Sequence, residues 1–226
     1  MWNLVEISRD ESSDFSLELY RNGEHFMIRT NGYELMTTMN YRTEVRMAEI
    51  SLQDSSPMNT TRVLVGGLGL GYTTRRILQL LSPTSNVVVC EISKSLLRWS
   101  NTHLKNVMED ILEDSRLRIV CDDVQTLIAQ ANSAFDMIIL DVDNGPQGLT
   151  TMSNDAIYSR NGLKALRLAL AQGGRLAIWS GFESTSFENI FREAGFEVIV
   201  YKEFVDQNSN HAHYIYIGTP TTSAVG

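Results

Sequence analysis

Residues 62–81 read RVLVGGLGLGYTTRRILQLL and place a glycine-rich turn between two elements of different periodicity. The segment from Arg62 to Val65 is apolar and β-branched, which is typical of a buried strand, whereas the residues from Thr73 onward have helical apolar spacing. Glycines at this junction let the backbone approach a ligand beside a helix N-terminus. The stretch therefore predicts the first strand, turn and helix of a nucleotide-binding βαβ unit.

Beyond this stretch, apolar strand-like runs alternate with amphipathic helical runs. Their order is NVVVCEI (86–92), KSLLRWSNTHL (94–104), RLRIVC (116–121), VQTLIAQA (124–131), FDMIILDVD (135–143), GLKALRLALA (162–171) and GRLAIWS (174–180). Buried strands that are each followed by a helix predict a doubly wound, mostly parallel sheet. Near the end, FEVIVYKEF (196–204) and HYIYIG (213–218) are separated only by a polar loop, which favours an antiparallel pair at the sheet edge. We therefore predict an α/β, Rossmann-like fold with an antiparallel C-terminal strand, the pattern of class I methyltransferases.

The residues before the glycine turn follow a different pattern. Alternating runs within residues 15–36 are interrupted at Asn22-Gly23 and Asn31-Gly32, two strong hairpin signals, so a small antiparallel β unit is expected. Helical spacing over residues 41–52 and a polar stretch over 53–61 indicate a helix and a linker. We predict two parts, which are an N-terminal β unit with a helix (1–57) and a Rossmann-like catalytic domain (58–226).

Charge and hydropathy exclude several classes of partner. The chain has 226 residues and a net charge of -8, without the Lys and Arg clusters that bind phosphate backbones, so no nucleic-acid partner is expected. No apolar run reaches the ~18 residues of a membrane span. The start MWNLVE lacks the basic and apolar layout of a secretory signal. We therefore expect no membrane partner and a cytoplasmic location.

Cysteine and histidine give no signal for a metal site. Cys90 and Cys121 lie within apolar strand-like runs, and we interpret them as buried, reduced thiols without a role. His211 and His213 lie two residues apart in a polar stretch without a third ligand nearby, so a surface loop and no metal are predicted.

Acidic residues follow the predicted strands at spacings that suit an adenosine ligand. Glu91 ends the strand after the glycine turn, about 20 residues beyond it, where a carboxylate accepts the ribose hydroxyl hydrogens. Asp122 and Asp123 follow the next strand, where one acid accepts the adenine amino proton beside Val124 and the other caps the following helix. The predicted cofactor site for S-adenosyl-L-methionine (SAM) contains Gly66, Gly67, Gly69, Gly71, Glu91, Ile92, Asp122, Asp123, Val124 and Asp141.

Polar residues at the end of the fourth strand are the first catalytic candidates. Asp141, Asp143 and Asn144 fall in the crevice where the reacting part of the cofactor belongs. Attack on a carbon bound to sulfonium requires an uncharged amine or an oxygen, so a carboxylate that takes or orients the proton is the natural catalyst. Asp141 is the first choice, and a helix cap is the alternative for Asp143.

Further candidates lie on other elements. The ring of Tyr158 is a candidate for contact with the sulfonium or a substrate ammonium, and the hydroxyl of Ser180 for orienting an amine or a carboxylate. Tyr41, Arg42 and Glu44 form either a lid, in which Arg42 meets a carboxylate, or a solvated helix start.

These features resemble the spermidine synthase family, a branch of the class I methyltransferase superfamily that transfers an aminopropyl group from decarboxylated SAM to an amine. The likeness rests on YELMTTMNYRTEVRMAEISL (33–52), the glycine turn, Glu91, Asp123, FDMIILDVDNGP (135–146), and Tyr158 followed by GLKALRLALAQGGRLAIWS (162–180). It implies that Glu91 binds ribose, that Asp123 binds the adenine amino group, and that Asp141 is the acid beside the reacting amine. It also implies homodimerisation through the N-terminal β unit.

Two positions depart from that family. Its glycine turn reads GGGDGG, with an Asp that holds the amine of decarboxylated SAM, and this chain has Gly69 there. A carboxylate at this position repels the carboxylate of intact SAM, so Gly69 favours intact SAM as the cofactor. Where the family has a second Asp for the diamine, this chain has the uncharged Asn144, which argues against a polyamine acceptor.

The leading hypothesis from the sequence is a SAM-dependent transferase that uses intact SAM and a small nucleophile, an amine, with methyl transfer as the commonest outcome of this fold. One alternative is attack on the aminocarboxypropyl chain with release of methylthioadenosine, either by transfer to an acceptor or by cyclisation of SAM to azetidine-2-carboxylate. Aminopropyl transfer of the spermidine synthase type and non-catalytic SAM binding are further alternatives.

Overall fold

The computed structural model describes residues 1–9, 16–53, 61–142, 155–206 and 209–221. Asp143 and Asn144, and the predicted domain boundary at residues 57 and 58, lie outside these ranges. None of the helices in the described ranges has the length and apolar character needed to cross a bilayer.

A four-stranded antiparallel sheet with the order β1-β2-β3-β4 forms the N-terminal unit. Its strands are β1 (Asn3–Arg9), β2 (Ser16–Asn22), β3 (His25–Thr30) and β4 (Tyr33–Thr37). Both predicted hairpin turns are confirmed, and Gly23, Asn31 and Gly32 have the positive φ angles that such turns require. The sequence analysis did not predict β1, whose residues are mostly exposed and therefore give no clear apolar alternation.

A seven-stranded sheet with the order β10-β11-β9-β8-β5-β6-β7 forms the main domain. Its strands are β5 (Arg62–Gly66), β6 (Asn86–Glu91), β7 (Leu117–Cys121), β8 (Phe135–Leu140), β9 (Leu170–Ser180), β10 (Phe196–Phe204) and β11 (Ala212–Pro220). Strands β5 to β9 run parallel to one another, and β11 runs antiparallel to its two neighbours, β9 and β10. The predicted α/β fold with an antiparallel finish is confirmed, and the glycine turn after β5 lies where the strand order reverses.

Eight helices are found in the described ranges. They are α1 (Arg42–Leu52), α2 (Tyr72–Leu80), α3 (Lys94–Ser100), α4 (Lys105–Leu112), α5 (Val124–Ala129), α6 (Asp155–Tyr158), α7 (Arg160–Ala169) and α8 (Thr185–Glu193). The run KSLLRWSNTHL, predicted as one helix, ends at Ser100. The side chains of Ser100 and Asn101 donate to the carbonyl of Leu97, and that of Thr102 donates to Arg98, which gives the backbone an alternative to continued helix.

Packing joins the two sheets into one hydrophobic core. Leu19 and Ile28 of the N-terminal sheet belong to the same buried cluster as Met47 of α1 and Val65 of β5. Because the N-terminal unit shares this core, it holds β4 and α1 over the carboxyl edge of the parallel strands. A site at that edge therefore receives side chains from both units.

The two cysteines have different surroundings. Cys90 is buried as predicted, and burial raises the pKa of its thiol to about 12. Cys121 is exposed, which corrects the expectation that both are buried, because β7 is the outermost strand of its sheet.

Candidate active site

A cavity of about 730 Å³ opens at the carboxyl edge of strands β5 to β8. The glycine turn and the residues that follow β6, β7 and β8 line one side, and residues of β4, α1 and β11 line the other. The structure brings together Gly67, Gly69, Gly71, Glu91, Ile92, Asp122, Asp123, Val124 and Asp141 of the predicted cofactor site. Gly66 lies beneath them, where an added Cβ atom would meet Leu140 Cδ2 at 3.0 Å.

The conformation of the turn requires glycine at two positions. Gly67 has φ +91°, and a Cβ atom on it would lie 2.3 Å from the backbone oxygen of Asp141. Gly71 has φ +81°, and a Cβ atom there would lie 2.5 Å from Ile111 Cδ1. The turn can therefore lie against the ends of β8 and α4 only without side chains at these two positions.

Gly67→Ala is expected to lower the free energy of unfolding by about 2 to 5 kcal/mol, because it combines left-handed backbone strain with overlap against Asp141. Gly173→Ala is the matched control, since Gly173 has φ +77° with open space around the added Cβ atom. It should lose only the ~1 to 2 kcal/mol of backbone strain. Urea unfolding of both variants measures the difference, and equal losses would contradict the close approach of the turn to β8.

Glu91 connects the glycine turn to the end of β6. Its carboxylate is 6% exposed and accepts hydrogen bonds from the backbone N–H groups of Leu68 at 2.9 Å and Ser93 at 2.8 Å. Each carboxylate oxygen can accept more than one hydrogen, so these bonds fix the side chain and leave acceptor capacity toward the cavity. The role of Glu91 toward ribose stays a prediction, and exposed Ile92 lies next to it in the cavity wall.

The two aspartates after β7 have separate roles. Asp123 is the N-cap of α5 and accepts from the backbone N–H of Gln125 at 2.9 Å. Asp122 is exposed and accepts from the backbone N–H of Asp123 at 2.8 Å. The capping role expected for one of the pair therefore falls to Asp123. Asp122, Asp123 and Val124 all line the cavity.

Asp141 follows β8 and lies against the first turn of α2. Thr73 donates a hydrogen bond of 2.8 Å to its Oδ2 atom. Desolvation at this position raises the pKa of Asp141 to about 6, although the hydrogen bond from Thr73 acts in the opposite direction. A carboxyl group with this pKa is ionised at neutral pH and can still accept a proton from an amine.

Glu44 is a second acidic group of the cavity, which the sequence analysis considered only for a lid or a solvated helix start. It lies in the first turn of α1 and accepts a hydrogen bond of 2.9 Å from the Thr43 hydroxyl. Desolvation, and then the negative charge of Asp141, raise the pKa of Glu44 to about 7. In the sequence, Glu44 could be recognised only as an acidic residue in the first turn of a predicted helix. Its position near Asp141 depends on the packing of α1 over the sheet.

Both histidines after β10 line the same cavity. Exposed His211 lies in the loop between β10 and β11, as predicted, whereas His213 lies on β11, which corrects its placement in that loop. His213 lies on β11, with its ring 4.5 Å from that of Trp179 and its Nδ1 atom 2.9 Å from the Thr43 hydroxyl. Burial lowers the pKa of His213 to about 4, so its imidazole is neutral at physiological pH. Within the described ranges, no group of three His, Cys, Asp or Glu side chains is arranged to hold a metal ion.

Tyr158 and Ser180, which the sequence predicts as catalytic residues, are both buried and hydrogen-bonded to nearby backbone. Tyr158 is 4% exposed in the core, packs edge to face on Phe187, and donates to the Val142 carbonyl. Its hydroxyl therefore holds Val142, the second residue after β8. Ser180 is 2% exposed and closes a local turn through hydrogen bonds with the backbone of Phe182. Among the described residues, neither side chain is part of the cavity wall, which argues against substrate contact at both positions.

The residues considered for a lid have different positions. Tyr41 stacks on Tyr72 with ring centroids 4.0 Å apart, which attaches the start of α1 to the start of α2. Arg42 is exposed and lines the cavity, so it remains available to an anionic group.

Together, the fold and the cavity define a Rossmann-like protein with an acidic cavity at the strand-order reversal, the position where ligands bind in sheets of this kind. The model of the spermine/spermidine synthase domain family matches residues 44–221. The match covers most of the chain, and the chain belongs to this family. The resemblance inferred from the sequence is confirmed.

Similar proteins include a polyamine aminopropyltransferase of Clostridium tetani, 34% identical over 83 residues, which are 37% of this chain and 29% of that protein. A polyamine aminopropyltransferase of Pseudomonas syringae pathovar tomato is 28% identical over 134 residues, which are 59% of this chain and 45% of that protein. The matched segments therefore span less than half of each relative. Among solved structures, spermidine synthase from Thermotoga maritima has a TM-score of 0.73 at 17% identity, covering 95% of this chain and 72% of that one.

These comparisons bear on the functional alternatives. They favour a transferase of the spermidine synthase type and give no support to methyl transfer, which was the leading hypothesis from the sequence. A structure of spermidine synthase in complex with the transition state analogue AdoDATO has a TM-score of 0.72 at 16% identity and covers 95% of this chain and 71% of that one. At this level of identity the likeness supports the shared fold.

Proposed function

We propose that this chain transfers a three-carbon amino chain from a SAM-type sulfonium nucleoside to an amine and releases methylthioadenosine. The observation that carries the proposal is a single cavity that holds a nucleoside-type site at Glu91 and the glycine turn, and two acids, Asp141 and Glu44, beside it. Family membership and the names of the relatives support aminopropyl transfer over methyl transfer.

The chain residues fit such a nucleoside. Glu91 offers acceptors to the ribose hydroxyls, Asp122 offers one to the adenine amino group, and Val124 offers an apolar surface to the ring. The bound nucleoside supplies an electrophilic carbon next to a positively charged sulfur. No cationic side chain of the described ranges lies within ion-pair distance of Asp141, so the anionic site is compatible with a sulfonium or an amine.

Asp141 is the proton acceptor in this proposal. An amine attacks as its neutral form, with its nitrogen forming a bond to the chain carbon while the carbon–sulfur bond breaks and its electron pair goes to sulfur. The amine nitrogen then carries an extra proton, which Asp141 accepts. Thr73 holds Oδ2 of Asp141, so the other oxygen is the one available to the amine.

A second candidate is transfer of the aminocarboxypropyl chain of intact SAM. The observation that favours it is Gly69, which lines the cavity without a side chain or a charge. A Cβ atom added there would lie 3.7 Å from its nearest neighbour, Met36 Sδ. Arg42, which also lines the cavity, offers a cationic partner for the carboxylate of SAM.

Gly69→Asp distinguishes the two nucleosides. Under the second candidate, the native chain should bind intact SAM more tightly than decarboxylated SAM, and the added carboxylate should narrow or reverse this preference by about 1 to 4 kcal/mol through repulsion. Gly69 has φ +53°, in the left-handed region that Asp and Asn tolerate better than other side chains, and an added Cβ atom would lie 3.7 Å from Met36 Sδ.

Gly69→Asn is the matched control, because it has the same shape as Asp without the charge. Calorimetric titration of all three proteins with both nucleosides separates a charge effect from backbone strain. A native preference for decarboxylated SAM would exclude the intact-SAM candidate and leave aminopropyl transfer from decarboxylated SAM.

A further inference from the structure

Glu44 has no ion-pair partner among the described residues, although Arg42 lines the same cavity. Arg46, on the same helix, pairs with Glu49 and Glu203, and Arg76 of α2 also pairs with Glu49. In the described ranges, neither Glu44 nor Asp141 takes part in an ion pair. Two acids that interact in a partly desolvated cavity raise each other's cost of ionisation unless a cation enters.

The Thr43 hydroxyl determines the orientation of Glu44. It donates to Oε2 of Glu44 at 2.9 Å, and the Nδ1 atom of His213 and the Nε1 atom of Trp179 lie 2.9 Å and 3.4 Å from the same hydroxyl oxygen. Because the hydroxyl has one proton and donates it to Glu44, both ring nitrogens must act as donors to its oxygen. This assignment places the proton of neutral His213 on Nδ1 and leaves Nε2 as an acceptor.

The surroundings of Glu44 suit an organic cation. Trp179 and His213 pack edge to face at 4.5 Å and line the cavity together with exposed Phe182, so aromatic surfaces are available to methylene groups and to an ammonium. His213 is neutral and brings no positive charge of its own into this part of the cavity.

We propose that Glu44 is the acceptor-binding carboxylate of this chain and that it pairs with a protonated amino group of an acceptor with two amino groups. The other amino group, in its neutral form, lies beside Asp141 and attacks the sulfonium nucleoside. Thr43 is a positioning residue that acts through Glu44, and His213 and Trp179 hold Thr43 in place. This inference rests on the proposed function. Glu44 of α1 then provides the negative charge for the diamine that the family's second Asp provides and that the uncharged Asn144 at that position does not.

Glu44→Gln tests the assignment through both binding and turnover. With 1,4-diaminobutane as acceptor, the variant should show a KM about 10- to 100-fold higher, with kcat within a few fold of the native value, because the lost contact is a partly buried ion pair. Equilibrium binding of 1,4-diaminobutane in the presence of methylthioadenosine, measured by calorimetry, should weaken by the same factor. Binding of 1-aminobutane should change less than threefold, since it has no second ammonium.

Three further variants separate substrate binding from structure. Glu44→Asp keeps the charge and should restore part of the affinity for 1,4-diaminobutane. Thr43→Val should weaken diamine binding severalfold, and Thr43→Ser should restore it because the hydroxyl is retained. Glu109→Gln removes an exposed acid of α4 and serves as the charge-matched control.

The outcomes separate this inference from the proposed function. If Glu44→Gln loses diamine binding while the native chain releases no methylthioadenosine, the assignment of Glu44 is supported and the proposed function is contradicted. Acceptor-dependent turnover with equal KM and equal binding in the native chain and Glu44→Gln overturns the assignment alone. A native chain that neither binds nor consumes the diamine overturns both.

Discussion

Glu91→Ala is expected to weaken nucleoside binding by about 100- to 10,000-fold. Two charge-assisted hydrogen bonds to the ribose, each worth ~1.5 to 3 kcal/mol, disappear together. The substitution also removes the acceptor for the backbone N–H groups of Leu68 and Ser93, so the glycine turn should lose stability as well. Calorimetric titration with methylthioadenosine and with SAM measures the first effect, and thermal unfolding measures the second.

Glu91→Gln separates these two consequences. It keeps the length of the side chain and one acceptor oxygen, but its amide NH₂ group faces backbone donors, so an intermediate loss of affinity is expected. Unchanged nucleoside affinity in a folded Glu91→Ala protein would remove Glu91 from the cofactor site and would leave it only the role of holding the turn.

Asp141→Asn is expected to reduce turnover by ~100-fold or more while nucleoside affinity changes by only a few fold. The amide keeps the shape of the carboxyl group but cannot accept a proton at neutral pH. Steady-state kinetics with an amine acceptor, together with calorimetry, measures the two effects. Near-native turnover in this variant would mean that the amine reaches the site already deprotonated or that another group accepts the proton.

The pH dependence of turnover gives a second test of the same residue. Desolvation raises the pKa of Asp141 to about 6, and the ionised form is the proton acceptor, so kcat should rise with pH through about 6 and level off above it. Thr73→Val removes a hydrogen bond that stabilises the carboxylate, so the rise should move to higher pH. Thr73→Ser retains the donor and should leave the profile in place.

The fold was predictable because its signals are local. The apolar run from Arg62, the glycines after it and the helical spacing from Thr73 are each read within a few residues of one another. The carboxyl ends of parallel strands meet at one edge, so strand order alone indicated that Glu91 and Asp141 line one cavity, as the structure shows.

The remaining site residues depend on contacts that are distant along the chain. Glu44 shares a cavity with Asp141 and feels its charge because α1 packs over the sheet, and His213 contacts Thr43, 170 positions away in the sequence. Tyr158 has the composition of a ligand-contacting aromatic, but its ring packs on Phe187 in the core. Spacing along the sequence does not report such packing, so these positions required the three-dimensional structure.

The nucleoside product is the most direct test of the proposed function. The purified chain is incubated with intact SAM or with decarboxylated SAM, each with and without 1,4-diaminobutane, and the nucleoside products are separated by chromatography and identified by mass. We expect methylthioadenosine that depends on the amine and is ~100-fold less abundant with Asp141→Asn. Formation of S-adenosylhomocysteine from intact SAM would instead show methyl transfer and would contradict the proposed attack on the three-carbon chain.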